Sequence, residues 1–339
     1  MVERKWLYIY LVLPILLLIF FVADVLLGSE IISLSRALSA FSGEDASYVS
    51  AILFRYRIPK ALTALAVGVA LSISGLQMQT VFRNPLADPY ILGVSSGAGL
   101  GVAMFLLTCN VFGISILSGA MQNLGHAFAA CIGAAAVMLV MLFISARLRD
   151  IMAMLILGMM IGSAAGALVS LLQYFSDAVA LKSYVMWTMG SVGNVTNLQL
   201  AILLSVVLLG IIFVIASIKT LNVLMIGEDY ARSLGYNVKK SRTAIIVAAT
   251  VMTGVATAFC GPVGFIGVAV PHVARMILHE ADHRYLVPAT MLLGGVTMLF
   301  CDVLSQLPGQ QASLPVNTVT ALLGIPVVVL VIMRNQKIV

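Results

Sequence analysis

Polar positions in this chain come in short clusters, separated by long stretches that are apolar on every side. Ten such runs can be read, with approximate edges at 7–27, 61–81, 91–108, 123–145, 151–174, 198–218, 243–260, 263–278, 286–303 and 314–333. A bilayer core takes an apolar helix of about 20 residues, so the pattern predicts ten membrane-spanning helices. The run at 263–278 is short and contains Pro271 and His272. Proline is tolerated in membrane helices where neighbours re-satisfy the freed carbonyl.

Charge fixes the count and the orientation. Lys and Arg concentrate in cytoplasmic loops. With ten spans and a cytoplasmic N-terminus, 14 of the 19 basic residues lie inside, and Arg36, Arg55, Arg57, Lys60 and Lys182 lie outside. If 263–278 did not cross, Arg275, Arg284, Arg334 and Lys337 would move outside and the split would be 10 to 9, with no bias left. Ten spans with both termini cytoplasmic are therefore expected. Composition agrees: 61% of residues are hydrophobic and 9% charged, against about 25% charged in soluble domains. The net charge of +6 reads as topology, and scattered basic residues give no support to nucleic-acid binding. The first run follows Arg4 and Lys5 and is read as a retained helix, since no clear cleavage site follows it. Cys109, Cys131, Cys260 and Cys301 form no CxxC pair and read as small buried hydrophobes.

Three connectors are long: the outside stretches Gly28–Lys60 and Asp177–Asn197, and the cytoplasmic stretch Gly227–Arg242. The second of these is expected to hold a short helix around LKSYVMWTMGSV. The helices read as one domain, 1–339. RIPKALTALAVGVALSISG and KKSRTAIIVAATVMTGVATAFCG echo one another across spans of opposite direction, as an inverted repeat would. Gly158, Gly162 and Gly166 form a GxxxGxxxG stripe that lets two backbones approach. Gly93, Gly97, Gly99 and Gly101 make the third span small-faced.

Candidate chemistry is sparse. No GxxxxGK[ST] loop is present to cradle nucleotide phosphates, and there is no HExxH or assembled Ser-His-Asp set. An ion-driven carrier needs intramembrane carboxylates, whereas only Asp24 and Asp302 lie near apolar runs, both at span ends. That argues against an ion-coupled secondary transporter and for energy supplied from elsewhere. A membrane enzyme acting on lipids would need clustered His, Asp or Glu. HEADHR at 279–284 is the one such cluster, its spacing matches no metal motif, and it reads as a solvated turn. His126 and His272 read as structural. The methionines of MAMLILGMM, 152–160, could line a pathway or simply fill space. In the polar stretch, EDYARSLG has acids first, Arg later, and Gly235 where a helix would stop. YNVKKSR can then restart a helix into the seventh span. The residues alone leave this stretch either a partner surface or a solvated loop.

Four motifs carry a resemblance over roughly Arg57 to Arg334: RIPKALTALAVGVALSISGLQMQTVFRNPLADPYILGVSSGAGLG, EDYARSLG, GPVGFIGVAVPHVAR and LPVNTVTALLGIPVVV. In this order the chain resembles the permease subunits of FecCD-type ATP-binding-cassette importers, which take up iron-siderophores, haem and cobalamin. The resemblance implies an all-α polytopic membrane protein of about ten helices with the type II importer permease fold, in the bacterial cytoplasmic (inner) membrane. It implies a homodimer with a pathway lined by the fifth and tenth spans, and a binding protein, periplasmic or lipid-anchored, docking outside. Two separate ATPase subunits would hydrolyse ATP with Mg, while this chain would be non-catalytic, with no cofactor or metal of its own. Coupling helices are expected at about 219–240, with Glu228, Asp229, Ala231, Arg232, Leu234 and Gly235 displayed to the ATPase. Arg57 and Lys60 match basic docking positions, and a third falls near Gln306. The cytoplasmic gate is expected near Asp150 and Met152, with Gly158, Gly162 and Gly166 along the pathway. An iron chelate is the favoured cargo, with cobalamin the alternative.

Overall fold

The computed structural model describes residues 2–28, 30–42, 48–111, 120–145, 151–306 and 314–335. Among these, every regular element is helical. The fourteen α-helices are α1 (Val2–Leu26), α2 (Leu34–Ser42), α3 (Tyr48–Ile52), α4 (Ile58–Val81), α5 (Val94–Val111), α6 (Ala120–Ser145), α7 (Ile151–Tyr174), α8 (Ala178–Thr188), α9 (Asn197–Ile226), α10 (Glu228–Ser233), α11 (Val238–Cys260), α12 (Ile266–Leu278), α13 (His283–Gln306) and α14 (Val316–Asn335). A π-helical turn, Leu53–Arg57, joins α3 to α4, and a 3-10 turn, Pro89–Leu92, precedes α5.

Each predicted apolar run falls on a helix. Among the described residues seven are long and apolar enough to cross a membrane: Ile9–Leu26, Tyr48–Val81, Leu124–Ile144, Met152–Tyr174, Asn197–Ile226, Val238–Cys260 and His283–Gln306. Val94–Leu106, Ile266–Leu278 and Val316–Leu330 are shorter apolar helices. At 13 residues α12 rises about 20 Å, well short of a hydrocarbon core of about 30 Å.

Two edges differ from the sequence pattern. The second span extends back to Tyr48, so Arg55, Arg57 and Lys60 sit on helical turns and not in a connector. The sixth runs on to Ile226, because Lys219 can lie along the helix with its ammonium reaching polar surroundings. Burial separates the helices by role. The most apolar 18 residues within Tyr48–Val81 are 83% buried, against 22% within Met152–Tyr174 and 28% within Asn197–Ile226. A helix enclosed by protein can carry Ser72, Ser74, Gln77, Gln79 and Thr80, all buried, where a lipid-facing one could not.

The chain is arranged as two compact units, with α4 and α9 running through both. In the first, α13 packs against α1, α12 and α14. A Cβ on Gly68 of α4 would stand 2.3 Å from the Gly294 carbonyl oxygen of α13, so only glycine permits that approach. In the second, α5 packs against α6, α7 and α8, and α11 against α5 and α6. A Cβ on Gly133 would come within 2.0 Å of the Gly97 oxygen, and one on Gly101 within 2.1 Å of the Ala129 oxygen. Gly97 and Gly101 thus serve the α5–α6 contact, while Gly99 faces Tyr184 of α8 and Gly93 the backbone of α7.

The 3-10 turn carries a buried carboxylate. Asp88 accepts the Tyr90 N–H at 2.8 Å, and the Tyr90 hydroxyl lies 3.0 Å from Thr257 Oγ1 of α11. Burial outweighs that hydrogen bond and lifts Asp88 from its ordinary 3.8 to about 6. The folded chain therefore holds this proton more tightly than the unfolded chain. The associated stability is complete below pH 3.8 and is lost as pH rises through about 6. Asp88→Asn keeps an oxygen for Tyr90 and has no charge to desolvate. Its thermal stability in detergent should exceed that of the unaltered chain above pH 7, by up to about 3 kcal/mol, and should change little between pH 4 and 7. A parallel pH profile for the two proteins would contradict this.

Candidate functional site

The α9–α11 turn is built from its own sequence. Gly227, at φ 152°, ends α9 and opens α10. Glu228 and Asp229 stand in the first turn and Arg232 in the last, the order a helix dipole favours. The stop is a Schellman motif: Gly235 N–H bonds the Arg232 carbonyl and Tyr236 N–H the Ala231 carbonyl, both at 3.0 Å. Gly235 takes φ 81° there, as expected from its place in the sequence. Asn237 then caps α11, its Oδ1 accepting the Lys240 N–H at 3.0 Å. The expected polar segment of about 219–240 is thus the end of α9, one short helix and the start of α11.

The faces of α10 are unequal. Asp229 and Arg232 side chains are exposed, and Tyr230 and Leu234 are about half exposed, at 48% and 52%. Ala231, expected to be displayed, is fully buried. It seats the helix from beneath and presents nothing to a partner. Glu228 is turned inward as well, bonding Arg232 at 2.9 Å and Arg242 of α11 at 3.4 Å. Arg242 itself is buried, although its sequence context suggested a displayed charge. Arg83 joins this corner: its Nη1 lies 3.9 Å from where a Cβ on Gly227 would stand.

A second cluster lies in the other unit. Arg57, Lys60 and Gln306 do converge, but on partners inside the chain. Arg57 donates to the Val25 and Leu26 carbonyls at 3.0 and 2.8 Å, and also to the Glu30 carbonyl. Its guanidinium therefore satisfies the open C-terminal end of α1. Lys60 Nζ lies 2.7 Å from Asp302 and 3.9 Å from Asp24, and Gln306 Nε2 donates to Asp24 at 2.7 Å. Ser305 adds a hydroxyl 3.2 Å from Asp302 Oδ1. Asp24 and Asp302 are both buried. The span-end carboxyl groups are thus enclosed and share the single ammonium of Lys60, a role their sequence positions did not reveal.

The remaining candidates separate. Asp150 lies outside the described residues. Met152 is exposed, while Gly158 packs so closely that a Cβ would meet the Ile91 oxygen at 2.6 Å. Gly162 faces Ser96, and among the described residues nothing lies within 4 Å of a Cβ on Gly166. His126 is buried edge-on against Phe105, ring centroids 5.8 Å apart. HEADHR is a helix cap: Glu280 Oε1 accepts the Ala281 and Asp282 N–H groups, and Asp282 Oδ1 accepts the Arg284 N–H at 2.9 Å. His283 within it is buried and not solvated as expected, because it shares the inward face of α13 with Leu286 and Val287, while Arg284 and Tyr285 point out. Among the described residues no group of three or more His, Cys, Asp or Glu is placed to hold a metal ion.

The sequence profile of the FecCD transport family matches residues 16–334. The hemin transport system permease protein HmuU of Yersinia pestis is 36% identical over 287 residues, 84% of each chain. The vitamin B12 import system permease protein BtuC of Klebsiella pneumoniae is 33% identical over 334 residues, 98% of this chain and 95% of its own. A solved metal-chelate type ABC transporter, described in an inward-facing conformation, superposes with a TM-score of 0.81 at 29% identity, covering 97% of this chain and 99% of that one.

Proposed function

We propose that this chain, which belongs to the FecCD transport family, is the permease through which an ATP-driven importer moves an iron chelate, a siderophore complex or haem. It is an ABC-importer permease and a multi-pass protein of the bacterial inner membrane. The finer reading is a homodimer of ten-span subunits with both termini cytoplasmic, two ATPase subunits beneath and a substrate-binding protein outside. The names of its relatives, a hemin permease and vitamin B12 permeases, and of a metal-chelate transporter, support a bulky chelated solute. Cobalamin is the alternative cargo. ATP and Mg would act on the partner subunits, and this chain would carry no cofactor.

The observation that carries the reading is α10. A six-residue helix closed by a Schellman turn, with its charges internally paired, still exposes Tyr230 and the adjoining Leu234. Exposed apolar side chains on a small rigid platform are what a docking partner buries. Leu234→Glu alters a side chain that is already half exposed. It should reduce ATPase recovery with the affinity-tagged chain about tenfold, as loss of an interface anchor does, and leave the yield of folded chain unchanged. If the unaltered chain elutes without an ATPase after mild extraction, and uptake follows an ion gradient, the importer reading fails.

A further inference from the structure

α10 has six residues, while isolated helices shorter than about 12–15 residues are marginal in water. It is flanked by Gly227 and Gly235, whose φ values of 152° and 81° break helical continuity on each side. Its orientation must therefore come from side-chain contacts. Ala231 supplies contact from below. Direction comes from Glu228, which bridges exposed Arg232 and buried Arg242. Arg242 has a side-chain exposure of 7%, lies one turn into α11, and keeps an Nε with no hydrogen-bond partner. A guanidinium enclosed this far is held by its carboxylate, since a buried charge without one is strongly disfavoured. The pair spans 14 positions of sequence and ties the exposed helix to a 23-residue span. Short loop geometry alone gives no such tie.

We infer that Arg242 is a positioning residue, clamping α10 to α11 through Glu228 so that displacement of the docked helix moves the span. The inference rests on the reading of α10 as the ATPase-docking element. It requires that Arg242 act through Glu228 and touch neither cargo nor ATPase.

The test uses the full complex in proteoliposomes, with cargo uptake measured per ATP hydrolysed. Arg242→Met and Glu228→Gln should both still recover the ATPase, because Tyr230, Arg232 and Leu234 remain exposed. Uptake per ATP should fall about tenfold or more in each, and in the double variant no further than in Glu228→Gln, since both single changes break the Glu228–Arg242 pair. Arg242→Lys keeps the charge and should retain half or more of the uptake, a rescue that a packing role would not give. If Arg242→Met does not fold, Glu228→Gln and Arg242→Lys carry the test unaided. Normal uptake per ATP in Glu228→Gln, or losses that multiply in the double variant, would overturn the clamp. Failure of the unaltered chain to recover an ATPase would instead overturn the reading of function beneath it.

Discussion

Lys60→Met should remove most of the folded chain from a detergent extract. The substitution leaves Asp302 and Asp24, both buried, without the ammonium that lies 2.7 and 3.9 Å from them. Breaking a buried pair from one side costs about 3–5 kcal/mol, a large share of the stability a domain has. Removing the carboxylate closest to Lys60 at the same time should reverse much of this. Lys60→Met with Asp302→Asn leaves only Asp24, which keeps the Gln306 amide at 2.7 Å. Thermal melts of the two single variants and the double give the coupling directly. The comparison also separates two roles for Lys60. A docking cation at the surface would leave the melt unchanged and lose only the response to a binding protein. A Lys60→Met chain as stable as its parent would show that the cluster is not held together in this way.

The helical content was legible because apolar runs of about 20 residues have few other outcomes in a bilayer. The cap at Gly235 was legible for a similar reason: the positive φ at that stop strongly favours glycine. What escaped reading shares one physical cause. Arg57 and Lys60 look like loop charges because their partners, the end of α1 and Asp302, lie far away in sequence. Ala231 looks displayed beside five polar or signature residues, because six residues cannot say which face of a helix is turned inward. Arg242 sits in the run KKSR, which reads as a solvated patch until the fold brings Glu228 against it. The second span's extension to Tyr48 was hidden by the same charges that the fold satisfies internally. Local pattern fixed the elements, and only long-range pairing fixed the roles of the charges at their ends.

Gly133→Val and Gly166→Ala should separate a packed glycine from an open one by opposite results. A Cβ on Gly133 would stand 2.0 Å from the Gly97 oxygen and 3.0 Å from the Gly101 nitrogen. These are backbone atoms of a packed helix and cannot swing aside, so α5 and α6 must move apart along their length. Overpacking of this kind costs about 3 kcal/mol or more, and in a bilayer lost backbone contact is not offset by a hydrophobic drive between helices. Gly133→Val should yield little monodisperse protein. Gly166 ends the GxxxGxxxG stripe, yet among the described residues nothing lies within 4 Å of its missing Cβ. Alanine there meets no atom of the described residues beyond its own turn of helix and improves helix propensity by up to about 1 kcal/mol. Gly166→Ala should therefore fold at least as well as its parent. If it folds normally while uptake per ATP drops, Gly166 is needed by something beyond the single chain, either a second copy or the passing solute. If both its fold and its transport are unchanged, the open end of the stripe has no part in the pathway, and only Gly158 and Gly162 retain a claim to it.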